Sequence, residues 1–267
     1  MKTKEVIQAV FAALVVCLSF PPGADAGSSR VGSKTYFETD RVIRFSNKVE
    51  KFLEQKQARA AILARVGIDR GKLPEGILFT HIGFAVHSQI AGSPGRKNSR
   101  YAIHNLYQRD GRPWRSDLIR DFPADFFSGA RMLEAGIIIP GPELQKRLTQ
   151  VISSDFYQDA HNSHYSTIAN PFTLDMQNCT EHTLDIVFAA MYQTTDMAEI
   201  KRNQKKHFIP HPIRVNPLTL SIGAILIPGL STSDHPGPPV TATFGSIGRF
   251  FKEHDPASRI YMVREKD

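Results

Sequence analysis

The chain has 267 residues, 41% of them hydrophobic and 22% charged, with a formal net charge of +7. This composition excludes a generally disordered chain and suffices for one domain with a substantial core. The positive balance suits acidic partners such as anionic lipid head groups or cell-wall polymers, while the scattered Lys and Arg residues argue against nucleic acid.

Residues 1–26 have the three-part layout of a secretory leader. Lys2 and Lys4 form a basic start, "VIQAVFAALVVCLSF" a short apolar run, and "ADA" a small-residue cleavage site after Ala26. The run is too short and wrongly flanked for a spanning helix. The expected product is a single exported domain over 27–267, periplasmic or secreted. Cys17 falls inside the leader, so Cys179 has no disulfide partner within the mature chain. A lone thiol in an oxidising compartment is either buried and inert or put to use.

After a small, polar lead over 27–34, Thr39 or Asp40 caps a predicted helix, with Val42, Phe45, Val49, Phe52 and Leu53 on one face. "ARAAILARVG" continues as a second helical stretch ending at Gly67. "GILFTHIGFAVHS" lacks a helical stripe and is rich in aromatic and β-branched residues, so it reads as a strand. The loop "GSPGRKNS" leads to a second strand, "YAIHNLYQ", and the turn "RDGRP", giving a long hairpin. Alternation puts His81, Gly83 and Ala85 on one face, and Ile103 and His104 on opposite faces of the partner strand.

"DLIRDF", after Ser116, reads as a short helix, and "AGIIIP" as a strand. Pro142 opens the helix "PELQKRLTQVIS". The polar, aromatic segment "YQDAHNSHYSTIANPF", which contains Tyr165, is placed to line a cleft before Cys179. "CTEHTLDIVFAAMYQ" is a helix with Cys179 in its first turn and Asp175 as its expected cap. "TTDMAEIKRNQKKH" forms another capped helix. Beyond Pro210 the chain is Pro- and Gly-rich, with strand-like "TLSIGAILI" and "RIYMV". The class is α+β, helices packed on a small antiparallel sheet.

A helix N-terminus and a nearby imidazolium stabilise a thiolate, which makes Cys179 the candidate nucleophile. His81 is the candidate base, on a strand where Gly83 would let a helix approach closely. A third polar group must hold the other imidazole nitrogen, and His104 on the adjacent strand is the candidate. Gln177, Asn178 and Tyr165 are candidate oxyanion or substrate contacts.

"HIGFAV" followed at long interval by "NCTEHTLD" resembles the circularly permuted papain-like superfamily. That group includes lecithin–retinol acyltransferase-like enzymes and relatives of NlpC-type cell-wall hydrolases. "NCTEHT" looks like the acyltransferase group's Asn-Cys-Glu-His box with Thr180 inserted. The resemblance implies a strand His preceding a helix Cys, and a covalent thioester on Cys179. His81 would move the proton, and the Cys179 N–H would help hold the oxyanion. It implies no cofactor. The expected activity is cleavage of an amide, first of all in cell-wall peptide material. The alternatives are a lipid ester hydrolase or acyltransferase, and a catalytically silent envelope binding module. Peripheral contact with an anionic envelope surface is a further expectation. Metal chemistry is disfavoured: His207 and His211 have helical zinc spacing, but Pro210 lies between them.

Overall fold

A computed structural model describes residues 35–88, 100–214 and 227–266. The leader, the polar lead, the loop over 92–99 and nearly all of the expected strand over 219–227 lie outside them.

Among the described residues, seven α-helices flank a six-stranded antiparallel sheet. Its strands are β1 (Ala60–Val66), β2 (His81–His87), β3 (Tyr101–Arg109), β4 (Arg112–Asp121), β5 (Met132–Ile139) and β8 (Arg259–Arg264), in the order β4-β3-β2-β1-β5-β8. A two-stranded pair, β6 (His211–Pro212) with β7 (Val240–Thr241), stands apart. The fold is therefore α+β.

One face of the sheet is covered by α1 (Thr39–Gln55) and α2 (Pro123–Ser128). Val42, Phe45, Val49 and Leu53 of α1 pack with Phe126 and Phe127 on Ala61, Leu63, Ala85, Ile103 and Ile137. The other face carries α3 (Pro142–Ile152), the short α4 (Phe156–Asp159), α5 (Cys179–Tyr192) and α7 (Phe244–His254), with α6 (Met197–His207) outside α5. There Leu148, Leu184, Phe188, Ile247 and Phe251 pack on Ala60, Ile62, Ile82, Phe84 and Ile138. The two faces thus use alternate residues of the same strands, as a pleated sheet requires.

Three elements differ from expectation. "ARAAILARVG" is the central strand β1 rather than a helix; all seven residues are buried. With helices on both sides, neither face needs polar residues, so the period-two signal vanishes and short apolar runs become ambiguous. "DLIRDF" belongs to edge strand β4, which pairs with β3 across the turn at Gly111 (φ 69°); the helix begins only at Pro123. Its charged residues suit an edge, where one side of the strand meets water. The C-terminal region also holds a helix, α7, capped reciprocally by Thr243 and Ser246, with Ile247, Phe250 and Phe251 buried. "RIYMV" is a strand, as expected, at the sheet's far edge.

Candidate active site

Cys179 is the first residue of α5. The cap is Asn178 rather than Asp175: its Oδ1 accepts from the Glu181 N–H at 2.9 Å and from the Thr180 hydroxyl at 2.7 Å. The Cys179 sulfur meets the backbone N–H groups of Ile82, Thr180 and Cys179 itself, and Arg65 is close enough to act on it. All of these favour the thiolate. Burial outweighs them and pushes the thiol up to about 11. The residue is 5% exposed and touches Leu106 and Tyr165.

The Ile82 N–H is available to sulfur because of where the hairpin opens. β2 and β3 pair from Gly83↔Asn105 to His87↔Tyr101, so Ile82 lies one residue beyond the ladder. β3 has left β2 there, and the start of α5 fills the gap. A buried backbone donor needs a partner, and the thiol supplies it.

His81 precedes Ile82 and is wholly buried. Its ring stacks on Tyr107 at 4.6 Å between centroids and leans on Phe126 at 5.5 Å. Nε2 lies 3.2 Å from Asn105 Oδ1. The amide is oriented by its own Nδ2, which donates to the Ile103 carbonyl at 3.1 Å. Oδ1 therefore accepts, Nε2 carries the proton, and Nδ1 keeps its lone pair. Nδ1 is buried and has no hydrogen-bond partner. Burial, and then the charge of Arg65, hold His81 well below its ordinary 6.5 against the opposing Asn105 bond. The resting pair is a neutral thiol and a neutral imidazole.

The group that holds His81 Nε2 is thus Asn105, which the sequence did not single out. The expected partner, His104, sits opposite Phe84 on the other face of the sheet, edge-on to Tyr157 at 5.6 Å. It cannot hold His81; burial and Arg120 push it down to about 4. Gly83 also serves differently from expectation. A Cβ there would lie 2.4 Å from Asn105 Oδ1, so the missing side chain makes room for the asparagine rather than for a helix.

The other candidates divide. Gln177 donates to Ala160 O and Asp185 Oδ2 and accepts from the Asn162 N–H. Asn178 Nδ2 donates to Thr167 O. The Gln177 amide is thereby committed to structure, with both Nε2 protons spent, whereas Asn178 has spent one Nδ2 proton and lines the cavity beside Cys179. Tyr165 lines the same cavity, of about 140 Å³, which reaches Cys179. Leu73, Ile77, Phe79, Ile168 and Ile213 make it largely apolar, with Thr167, Thr180, Thr241 and Thr243 among its walls. His81 does not line it. The thiol faces the cavity from the α5 side, whereas the imidazole lies on the α1–α2 side of the sheet with Arg65, Tyr107 and Phe126. Tyr165 also lines a larger, open groove of about 720 Å³ with Trp114, Arg115 and Met176. His182 is structural: its Nε2 bonds Tyr157 O at 3.2 Å.

Among the described residues no three His, Cys, Asp or Glu side chains are gathered as a metal site, and no helix is long and apolar enough to cross a membrane. The sequence profile of a family described as "Uncharacterized protein conserved in bacteria (DUF2145)" matches residues 52–251, a span that holds every candidate residue above. No curated protein and no solved structure matches the chain.

Proposed function

The chain belongs to the DUF2145 family, and we propose that it is an exported thiol hydrolase or acyltransferase of permuted papain-like type. One arrangement carries the reading. Asn105 holds the proton of His81 Nε2, Nδ1 is left unpartnered, and the Cys179 sulfur sits at the very next backbone N–H.

The resting thiol is un-ionised, so proton and carbon must move together. Sulfur attacks the carbonyl carbon as its proton passes to Nδ1, for which the imidazole must swing past the open end of the β2–β3 ladder from the other face of the sheet, and the carbonyl π electrons move to oxygen. The N–H groups of Cys179 and Ile82, released from sulfur as it bonds to carbon, are the donors for that oxyanion. Collapse expels the leaving group, which receives the proton from Nδ1, and leaves a thioester on Cys179. Water or an acceptor alcohol then takes the acyl group by the same route. The apolar cavity beside the thiol favours an aliphatic acyl group, as in a lipid ester, over the polar stem of a cell-wall peptide.

The burial and raised pKa of Cys179 favour a second reading, a silent binding module with an inert thiol. Incubation with a medium-chain p-nitrophenyl ester separates the two. The enzyme reading expects an acyl adduct on Cys179 by mass spectrometry, with turnover abolished in Cys179→Ala. An unmodified Cys179 without turnover would leave only the binding module, and turnover that survives Cys179→Ala would overturn Cys179 as the nucleophile.

A further inference from the structure

Behind the first turn of α5 lies a buried ionic cluster that the chemistry above does not use. Lys201 of α6 spends its three protons on Glu181 Oε1 at 2.8 Å, Asp185 Oδ1 at 2.7 Å and the Pro171 carbonyl at 3.2 Å. Asp185 also accepts from Gln204 at 2.7 Å and from Gln177 at 3.0 Å. Gln177 in turn ties down Ala160 O and the Asn162 N–H. Lys201 is 8% exposed in its side chain, and the two carboxylates 1% and 0%.

The bonds share one geometry. Glu181 and Asp185 lie on the nucleophile's helix, two and six residues after Cys179. Pro171, Ala160, Asn162 and Gln177 lie on the connection from α4 to α5. That connection contributes Tyr165, Thr167 and Ile168 to the wall of the thiol cavity. We propose that Lys201 is a positioning residue that locks this wall segment onto the nucleophile helix and so sets access to Cys179. The assignment rests on the thiol chemistry proposed above for its functional meaning, though not for its test.

The charge balance fits a permanent lock. Burial, with Asp185 adding to it, holds the Glu181 carboxyl well above its ordinary range despite Lys201. Against its burial, Asp185 and Glu181 hold the Lys201 amine up at about 12, so it stays an ammonium at neutral pH. An ammonium with three acceptors on two chain segments joins them more firmly than a neutral hydrogen bond would.

The test is the rate at which iodoacetamide modifies Cys179, read from its peptide by mass spectrometry well below the melting temperature. Lys201→Met is expected to react at least about tenfold faster, because loosening the wall exposes the thiol. Lys201→Arg, which keeps the buried cation, is expected to stay near the wild-type rate. Leu53→Ala, a core cavity on the far face of the sheet, is the control for general destabilisation and is expected to leave the rate unchanged. On the ester probe, Lys201→Met should raise KM more than it lowers kcat. A wild-type rate in Lys201→Met, or an equal increase in Leu53→Ala, overturns the lock. Should Lys201→Met fail to fold, Gln177→Met carries the test. It unties the same segment without stranding an ion, and an unchanged alkylation rate there overturns the lock equally. Faster alkylation without ester turnover in any form would remove the enzyme and leave the lock standing.

Discussion

The two faces of the sheet each hold neutral imidazoles among aromatic rings, and only one of these rings adjoins a peptide N–H that meets the Cys179 sulfur. On the α5 face, His104 meets Tyr157 edge-on, and His182 meets the same ring at 4.8 Å and its carbonyl at 3.2 Å. On the α1–α2 face, His81 is stacked just as tightly, yet it has an asparagine on one nitrogen and a sulfur beside the next peptide N–H. Burial and a depressed pKa are common to both groups and distinguish nothing. What distinguishes His81 is its fixed tautomer with an unpartnered Nδ1, followed by a peptide N–H that meets the Cys179 sulfur.

The sharpest way to break that contrast is to remove one ring from each side. His81→Ala is expected to lower turnover of the ester probe by about a hundredfold or more, the usual cost of losing a general base. His104→Leu is expected to leave turnover within about twofold, since its ring touches no group at the thiol. Equal losses from both would make His81 another structural histidine.

The faces should behave alike under acid, which is the next largest effect. His104 and His182 are pushed by burial down to about 4 and about 3 from an ordinary 6.5, and His81 is lowered as well. An unfolded chain takes up these protons near pH 6.5, while the folded chain resists them. Their contribution to stability is therefore complete above pH 6.5 and is lost as pH falls toward the folded values. Each such histidine costs roughly 2 kcal/mol of unfolding free energy between pH 6.5 and 5. Urea melts at pH 7 and 5 should show the fall, and His104→Leu should flatten it by one histidine's share. A wild-type stability that is flat over this interval would mean the rings are charged or wet in the folded state.

Much of the site could be read from residue types, and what failed was register. The helix that carries Cys179 and the strand that carries His81 were legible from an apolar helical stripe and a run of β-branched and aromatic residues. The cap, Asn178 and not Asp175, and the strand's start at His81 and not Gly76, were not. Nor was the third group. His104 and Asn105 are neighbours pointing to opposite faces, and which one meets His81 depends on the pairing Gly83↔Asn105. A strand's alternation says which residues share a face, and not which partner strand residue lies opposite. The same limit hid β1: between two helical layers its polar face disappears, and seven consecutive buried residues look like a helix. The secretory reading of the first 26 residues rests on composition alone.

Gly83 offers the smallest and most specific test of the contrast. A Cβ at this position would lie 2.4 Å from Asn105 Oδ1 and 2.9 Å from the His104 carbonyl oxygen. The side chain can swing away, and the backbone can shift only slightly, so Gly83→Ala should displace the asparagine before it disturbs the ladder. His81 then loses the acceptor that holds its Nε2 proton, and turnover should fall by about tenfold, in line with losing one oriented hydrogen bond. Asn105→Ala should give a similar loss by the direct route. If Gly83 acts through Asn105, the double variant is no worse than Asn105→Ala alone, because the group that the new methyl displaces is already gone. Losses that instead multiply would mean that Gly83 matters for the strand and not for the imidazole. The third member of the site would then have to be sought elsewhere.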